Sequence, residues 1–218
     1  MNRFVVIGLG NFGTAVAESL FSERHEVIAI DMQEEAVERV APNVSRAVVG
    51  DGRNIKTLER LGVKGADGAI VSTGDDITSS ILTTMALHDL EIHDIYVKVI
   101  SADHARVMER LKVSLTIFPE RDSAQALARR LSGPGLLNYV PFSDGFSIQE
   151  MGVPSDWNGK SLRSLALRQE FGITVVAIHD VLSEKITFTS DPDQILKDSD
   201  ALIVAGRDED LARAAKLI

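Results

Sequence analysis

The sequence predicts an α/β fold, in which a doubly wound parallel sheet is followed by a smaller α+β domain. Short apolar runs alternate with amphipathic helical patterns over residues 1–118. A glycine motif that typically joins a strand to a helix follows the first apolar run. The alternation stops near residue 135, after the densest glycine and proline cluster of the chain. Such alternation is typical of parallel sheets that carry helices on both faces.

The first domain contains six predicted strands, and most are apolar throughout, as strands buried on both faces should be. They cover residues 3–7, 26–30, 45–49, 66–71, 94–99 and 113–117. Helical patterns lie between them, at residues 12–23, 33–40, 54–61, 75–90 and 102–111. A further helix over residues 120–131 follows Pro119, a residue suited to a helix start. Units of this kind predict a Rossmann-like sheet.

A domain boundary is predicted at residues 132–135, which read Ser-Gly-Pro-Gly. We therefore expect a nucleotide-binding domain over residues 1–135 and a small α+β domain over residues 136–218. In the second domain, strand-like runs cover residues 145–151, 173–179, 184–189 and 201–206, and helical patterns cover 161–170 and 207–217.

The composition excludes several classes of function. The chain has 218 residues, of which 44% are hydrophobic and 25% charged, as in soluble globular proteins. A net charge of −9 without a long basic run argues against nucleic acid as a partner. The absence of cysteine excludes disulfides and thiolate chemistry. No apolar stretch approaches the ~18 residues that span a bilayer, and the first apolar run is a predicted core strand, so we expect a cytoplasmic protein.

The glycine motif at residues 8–13 predicts a nucleotide site. Gly8 permits a tight turn out of the first strand, Gly10 lets the backbone approach a pyrophosphate, and Gly13 lets the helix pack close to the sheet. The N-terminus of that helix offers N–H groups to an anion. Asp31 ends the second strand, where its carboxylate can accept a hydrogen bond from a ribose hydroxyl.

Other polar residues follow strands that end at the same edge of the predicted sheet. Asp51 and Gly52 follow the third strand, where Asp51 could approach the adenine or ribose or, compatibly, cap the next helix. Thr73 and Gly74 follow the fourth strand and would border the nucleotide. The acidic pair that comes next, residues 75–76, better suits the first turn of the following helix.

Lys98 interrupts an otherwise apolar strand near its carboxyl end. A lysine on a buried strand needs a partner, because burial of an uncompensated charge is costly. A nucleotide phosphate is one candidate for that partner, and a structural ion pair is the alternative.

No pattern of a catalytic site is visible. The five histidines form no recognisable ligand pair, and the chain lacks a Gly-x-Ser-x-Gly elbow. A dehydrogenase needs a proton-transfer group aimed at its substrate, and the second domain offers no evident candidate. We therefore expect a nucleotide-binding protein, whereas chemistry on a substrate is not indicated. An NAD-dependent oxidoreductase with a small substrate domain is the alternative. A redox-sensing transcription factor would need a basic DNA-binding element, and none is visible.

Taken together, several segments resemble the regulator of potassium conductance (RCK) family. They are residues 4–13, Asp31, Gly50-Asp51, Leu82-Thr83-Thr84, Val97-Lys98-Val99 and Phe118-Pro119-Glu120-Arg121-Asp122. The likeness is collinear over about residues 1–135, and residues 139–218 resemble the smaller C-terminal ligand-binding RCK subdomain. The similarity is greatest to the cytosolic subunits of Ktr- and Trk-type bacterial potassium uptake systems.

The resemblance implies a regulatory subunit rather than an enzyme. Such subunits would form dimers and then an octameric ring beneath a transmembrane potassium pore subunit. Adenine nucleotides, either ATP and ADP or NAD and NADH, would change the shape of the ring and gate the pore. The protein would then be cytoplasmic and peripherally associated with the inner face of the cell membrane.

The resemblance also implies roles for individual residues. Glu120 matches a glutamate that reaches a neighbour's nucleotide site and can help hold Mg²⁺ or Ca²⁺ near the phosphates. The helix over residues 120–131 matches a crossover that joins two subunits. Arg168 resembles an arginine that meets a phosphate of cyclic di-AMP, although a solvated helix-end arginine is the alternative. Asn11 stands where Ktr subunits commonly carry an arginine for a terminal phosphate, and it has no charge for that contact. The candidate nucleotide-binding residues are Gly8, Gly10, Asn11, Phe12, Gly13, Asp31, Asp51, Gly52, Thr73, Gly74, Lys98 and Glu120.

Overall fold

A computed structural model describes residues 1–74, 76–132, 136–143, 145–188 and 191–216. The chain divides into two compact units, Met1–Arg121 and Asp122–Ile218. The boundary predicted at residues 132–135 falls inside the second unit, and residues 133–135 lie outside the described ranges. The division into domains over residues 1–135 and 136–218 therefore stays a prediction.

The first unit is built on a parallel sheet of six strands. They are β1 (Arg3–Ile7), β2 (Glu26–Asp31), β3 (Arg46–Val49), β4 (Gly68–Val71), β5 (Ile95–Lys98) and β6 (Leu115–Ile117). Their order in the sheet is β3-β2-β1-β4-β5-β6, and every pair of neighbours is parallel. All six predicted strands are confirmed, with bounds shifted by a few residues.

Helices connect these strands, and a short 3-10 turn at Ala41–Asn43 follows the second of them. The connecting helices are α1 (Asn11–Ser22), α2 (Glu34–Val40), α3 (Ile55–Arg60), α4 (Ile77–Asp89) and α5 (Ala102–Arg110). Helix α6 (Pro119–Ser132) follows β6, and most of its residues belong to the second unit. Three of the connecting helices begin at a polar side chain that accepts a hydrogen bond from the first-turn backbone, namely Asn54, Asp76 and Ser101.

The core of this unit lies on both faces of the sheet. Neighbouring residues of β1 belong to different clusters, because side chains alternate between the faces of a strand. Val5 packs with Leu58, Leu87 and other residues of one cluster, whereas Val6 packs with the cluster that contains Val37 and Val40. This division confirms the predicted doubly wound sheet.

The sheet has a topological switch point between β1 and β4. The chain proceeds outward from β1 through β2 to β3, and then returns to place β4 on the other side of β1. In open sheets of this type, ligands bind beyond the carboxyl ends of the strands at this point.

The second unit contains an antiparallel sheet. Its strands are β7 (Leu136–Ser143), β8 (Phe146–Gly152), β9 (Thr174–Asp180), β10 (Lys185–Phe188) and β11 (Asp200–Arg207), arranged in the order β10-β9-β11-β8-β7. Helix α9 (Asp208–Ala215) follows β11, and a 3-10 turn at Ser155–Trp157 follows β8. A buried cluster that includes Trp157, Ile178, Leu202 and Leu211 forms the core. The α+β class predicted for this region is confirmed.

Two features of this unit differ from the sequence-based expectation. The predicted helix over residues 161–170 is two short helices, α7 (Leu162–Leu165) and α8 (Leu167–Glu170). Ala166 separates them in the left-handed conformation, with φ of 46°, which cannot continue an α-helix. Strand β7 was not predicted, because Pro141 lies within the run and lacks the N–H that a strand needs.

Candidate functional site

A cleft of about 380 Å³ opens at the carboxyl ends of β1 to β4. The structure brings together here most of the strand-end residues that the sequence predicts for a nucleotide site: Gly8, Gly10, Asp31, Asp51, Gly52, Thr73 and Gly74. The other candidates, Asn11, Phe12, Gly13, Lys98 and Glu120, are not among the lining residues.

Two glycines of the motif are required by the protein's own backbone. Gly8 has a φ of 94°, and a Cβ built on it would lie 2.1 Å from the carbonyl oxygen of Ser72. A Cβ on Gly13 would lie 1.9 Å from the carbonyl oxygen of Gly8. Because both distances are far shorter than a van der Waals contact, any side chain at either position would force β1, β4 and α1 apart.

Gly10 is different, because a Cβ on it would meet nothing within 4 Å. Its φ of −68° and ψ of −174° are open to any residue, so the backbone does not require glycine. Gly10 precedes α1, and no described side chain caps that helix. The open space beside Gly10 would be filled by a Cβ, and it lies at an uncapped helix N-terminus. It therefore fits a phosphate.

Two of the motif's other residues, Phe12 and Asn11, lie outside the lining of the cleft. Phe12 is half-buried and packs against the core cluster beneath α1. Asn11 is exposed at the first position of α1. Neither side chain lines the cleft, so their predicted contact with a nucleotide stays a prediction.

The Asp31 carboxylate lies at the end of β2 and is held by backbone N–H groups. The Leu9 N–H donates to its Oδ2 at 2.6 Å, and the Gln33 N–H donates to its Oδ1 at 2.8 Å. Each carboxylate oxygen has a further lone pair, so the group can still accept from a ribose hydroxyl.

Asp51 forms a bidentate ion pair with Arg53. The sequence did not lead us to expect Arg53 at the site. The Nε and Nη2 of Arg53 donate to Oδ1 and Oδ2 of Asp51, both at 2.9 Å. These hydrogen bonds hold the pKa of Asp51 below its ordinary value. Asn54, and not Asp51, provides the side chain that caps α3. Gly52 is buried, and a Cβ there would lie 2.5 Å from the Ile7 side chain.

The loop after β4 contributes Thr73 and Gly74 to the cleft. Asp76 caps α4, since its carboxylate accepts from the Ser79 N–H at 2.9 Å and from the Ser79 hydroxyl at 2.5 Å. These bonds lower the pKa of Asp76. The structural role predicted for this aspartate is therefore confirmed, whereas Asp75 lies outside the described residues.

Arg39 is a second cleft residue that the sequence analysis missed. It lies on α2, and its Nη2 is 3.4 Å from the carbonyl oxygen of Leu9 in the glycine loop. An exposed arginine on a helix is by itself only a weak sequence signal of a site, because most such residues are solvated. The sequence offered one further indication of a site role for Arg39, because this residue lies close to Asp31 along the chain.

Lys98 and Glu120 form an ion pair, with Nζ 2.6 Å from Oε1. The lysine side chain is 15% exposed and the glutamate side chain 61%. The ammonium group holds the pKa of Glu120 below its ordinary value. Within the described ranges, no group of three or more His, Asp or Glu side chains could hold a metal ion. The assignment of both residues to a nucleotide, and of Glu120 to a metal ion, stays a prediction.

Arg168 lies exposed on α8. Across the part of the chain that the structure describes, it has no hydrogen bond or ion pair. Its predicted contact with a second ligand also stays a prediction.

Comparisons with known proteins identify both units. The TrkA-N domain family matches residues 4–119, and the TrkA-C domain family matches residues 150–218. The chain is 34% identical to Ktr system potassium uptake protein A of Bacillus subtilis, over 97% of this chain and 94% of that protein. The chain belongs to the regulator of potassium conductance family. This RCK protein is also 34% identical to Ktr protein C of the same bacterium, over 99% of its own length and 97% of that protein.

Solved structures show the same fold. The crystal structure of the GsuK RCK domain matches all of this RCK protein and 47% of that chain, with a TM-score of 0.65 and 18% identity. The GsuK channel bound to NAD matches with a TM-score of 0.54 and 23% identity, over 38% of that chain. Among the described residues of this RCK protein, no helix has the length and apolar character needed to cross a bilayer.

Proposed function

We propose that this RCK protein is the nucleotide-sensing regulatory subunit of a potassium uptake system and is not an enzyme. One observation carries the proposal. The chain matches the Ktr potassium uptake proteins A and C over nearly their whole length, and its glycine loop lines an open cleft at the switch point of the sheet. Binding of a nucleotide in that cleft is the signal, and potassium flux through a membrane partner is the response.

The ligand that we propose is an adenine nucleotide, either ATP and ADP or NAD and NADH. The open space at Gly10 suits its phosphates, and the Asp31 carboxylate suits a ribose hydroxyl. One of the similar solved structures is the GsuK channel bound to NAD. Asn11 leaves the first turn of α1 without the positive charge that would favour a terminal phosphate there.

The ionisable groups of the cleft favour binding over chemistry. A general base that works near neutral pH needs a carboxyl with a raised pKa. Hydrogen bonds instead lower the pKa of Asp51 and of Asp76. The Asp31 carboxylate is held by two backbone N–H groups. These observations favour a sensor over the alternative, an NAD-dependent oxidoreductase.

The partner that we propose is a transmembrane potassium pore subunit at the inner face of the cell membrane. The regulatory subunits form dimers and an octameric ring beneath it. A nucleotide gates the pore only through a difference in affinity for two conformations of the ring. ATP and ADP, or NAD and NADH, can then bind similarly and still act differently on the pore.

Potassium flux through vesicles that contain a Ktr-type pore subunit tests the proposal. We expect flux to depend on the added RCK protein and to differ between ATP and ADP or between NAD and NADH. The same nucleotides should not be hydrolysed or change redox state. Nucleotide turnover, together with flux that is independent of the protein, would contradict the proposal.

We also propose that Glu120 helps hold Mg²⁺ or Ca²⁺ near the phosphates of a neighbouring subunit's nucleotide. Its side chain is largely exposed, and its carboxylate has lone pairs beyond the one that faces Lys98. The Glu120→Gln variant should retain nucleotide affinity but lose most of the divalent-cation dependence of flux. Unchanged cation dependence would remove Glu120 from the mechanism.

A second ligand, cyclic di-AMP, is proposed for the paired C-terminal domains. Arg168 is exposed there and is available for a phosphate. Arg163 is a matched control, because its guanidinium is already paired with the Asp193 carboxylate at 2.7 Å. We expect Arg168→Ala in the full chain to weaken cyclic di-AMP binding in calorimetry, and Arg163→Ala to weaken it far less. A wild-type protein that does not bind the dinucleotide would refute this ligand.

A further inference from the structure

Two arginines line the nucleotide cleft, and they differ in how their charge is balanced. Neither belongs to the glycine motif. Arg53 follows β3, and Arg39 lies on α2 beside the glycine loop. Their surroundings predict two different kinds of contact with a ligand.

The guanidinium of Arg53 is fixed and neutralised. Two of its nitrogens donate to the Asp51 carboxylate at 2.9 Å, and the Arg53 backbone N–H donates to Oδ1 of the same group at 2.9 Å. The pair has no net charge to offer a phosphate. The two flat faces of the guanidinium are not used by these in-plane hydrogen bonds, and such faces stack well on aromatic rings.

The order of the strands places a base near this pair. The glycine loop follows β1, Asp31 ends β2, and Asp51 and Arg53 follow β3, which is the next strand outward. A nucleotide with its phosphates at Gly10 and its ribose at Asp31 therefore directs its base toward β3. Met32 lies at the same end of the cleft, with its Sδ 4.0 Å from Nη2 of Arg53. Thioethers make favourable contacts with aromatic rings.

The guanidinium of Arg39 is neither fixed nor neutralised. Its one hydrogen bond among the described residues is to the Leu9 carbonyl, at 3.4 Å, and it has no ion pair there. The side chain is exposed and its positive charge lies beside the loop that leads to Gly10. A guanidinium with unused donors at that point suits a phosphate group.

We propose that the two arginines bind different parts of the nucleotide. Arg39 binds a phosphate, and thereby supplies the cation that Asn11 does not. Arg53, held by Asp51, stacks on the purine base together with Met32. The proposal rests on the proposed function, because it assumes that an adenine nucleotide occupies the cleft. Arg39 on α2 then determines how affinity depends on the phosphates, and the residues after β3 determine how it depends on the base.

A ligand series separates the two roles. Affinities for adenosine, AMP, ADP and ATP are measured by competition against a fluorescent adenine nucleotide. Arg39→Gln should weaken ADP and ATP roughly 10- to 100-fold, as for a lost charged hydrogen bond, and change adenosine less than about 2-fold. Arg53→Ala should weaken all four ligands by a similar factor, roughly 5- to 100-fold, as for lost stacking on a base.

Two further variants complete the test. Arg60→Gln removes a positive charge from α3 outside the cleft, and it should leave all four affinities unchanged. Arg53→Lys keeps the charge beside Asp51 and removes the flat faces, so it should reproduce the uniform loss even if Arg53→Ala does not fold. Thermal melting of each variant shows whether its fold is intact.

The outcomes distinguish this proposal from the proposed function. A wild-type protein that binds neither these four ligands nor NAD and NADH contradicts the proposed function. If the wild type binds but Arg39→Gln weakens adenosine as much as ATP, the phosphate role is wrong. If the loss in Arg53→Lys grows with the number of phosphates, the base role is wrong.

Discussion

The Asp31 carboxylate ties the glycine loop to the second strand, because the Leu9 N–H donates to its Oδ2 at 2.6 Å. This contact joins residues that are distant in sequence but lie at neighbouring strand ends. One side chain therefore positions the glycine loop and, in the proposed function, also faces the ribose. Loss of this carboxylate should therefore alter the position of the glycine loop and also weaken the proposed contact with a ribose hydroxyl.

Asp31→Ala should weaken binding of adenine nucleotides by roughly 1.5–3 kcal/mol, the range for a lost charged hydrogen bond. The wild-type protein should bind NAD far better than NADP, because the Asp31 charge repels a 2′-phosphate. Calorimetry with both dinucleotides measures this preference, which Asp31→Asn should reduce. Equal or tighter binding of NADP by the wild type would contradict the role of Asp31.

Gly10 and Gly13 provide a matched pair of variants that separates binding from folding. Gly13→Ala places a Cβ 1.9 Å from the Gly8 carbonyl oxygen, so it should lower the free energy of unfolding by about 1–3 kcal/mol or more. Gly10→Ala adds a methyl group in open space, so its cost in stability should not exceed about 1 kcal/mol, the cost of alanine at a helix N-cap. Its methyl group should nevertheless weaken nucleotide binding. Urea denaturation and calorimetry measure the two effects, and unaltered affinity in Gly10→Ala would show that no phosphate approaches that backbone.

The Lys98–Glu120 pair predicts acid sensitivity. Folding lowers the pKa of Glu120, because the Lys98 ammonium stabilises the charged carboxylate. A carboxyl group of this kind contributes stability above its unfolded pKa, about 4.3, and loses it as the pH falls through the folded value. Glu120→Gln should therefore reduce the loss of stability between pH 5 and about pH 3.

Urea denaturation at several pH values measures the effect. Glu59→Gln is the control, since Glu59 has no ion pair in the described part of the chain. Equal pH profiles for Glu120→Gln and the wild type would show that the pair is not formed in solution.

A buried histidine predicts a second dependence on pH. His104 is a residue of α5, and its Nε2 lies 3.2 Å from the hydroxyl oxygen of Ser80 on α4. Burial lowers its pKa, because desolvation disfavours the charged imidazolium. The associated stability is present above the unfolded pKa, about 6.5, and is lost as the pH falls through the lower folded value. His104→Gln should flatten the stability profile between about pH 7 and pH 5, as measured by thermal melting. A profile as steep as that of the wild type would assign the effect to another group.

Most of the first sheet could be predicted from the sequence, because strands buried on both faces are apolar and their ends are marked by polar residues. The cleft followed from the same logic, since the carboxyl ends of parallel strands meet at one edge. Gly8 comes directly after β1, Asp31 ends β2, and Asp51 follows β3 after Gly50. The convergence of these residues at one edge could therefore be predicted without any knowledge of side-chain contacts.

The rest depended on contacts that the sequence does not encode locally. Arg39 resembles an ordinary surface arginine until the fold places it beside Leu9. Arg53 is a neighbour of Asp51 in the sequence, but only the structure shows that the two form a bidentate pair at the cleft. Lys98 was expected to meet a phosphate or an ion pair, and only the start of α6 shows that Glu120 is within reach. Ala166 in the left-handed conformation has no signal, because alanine is a strong helix former.

The two sheets differ in how they can form during synthesis on the ribosome. In the first sheet β1 is made first and lies at the centre, so each later strand finds a neighbour that already exists. In the second sheet β11 is made last and yet lies between β9 and β8. The cleft at the carboxyl ends of β1 to β4 can therefore assemble while the chain is still emerging, whereas the second sheet stays in two separate halves until β11 has been made. A premature stop codon before β11 would leave the cleft of the first unit intact and remove the central strand of the second sheet.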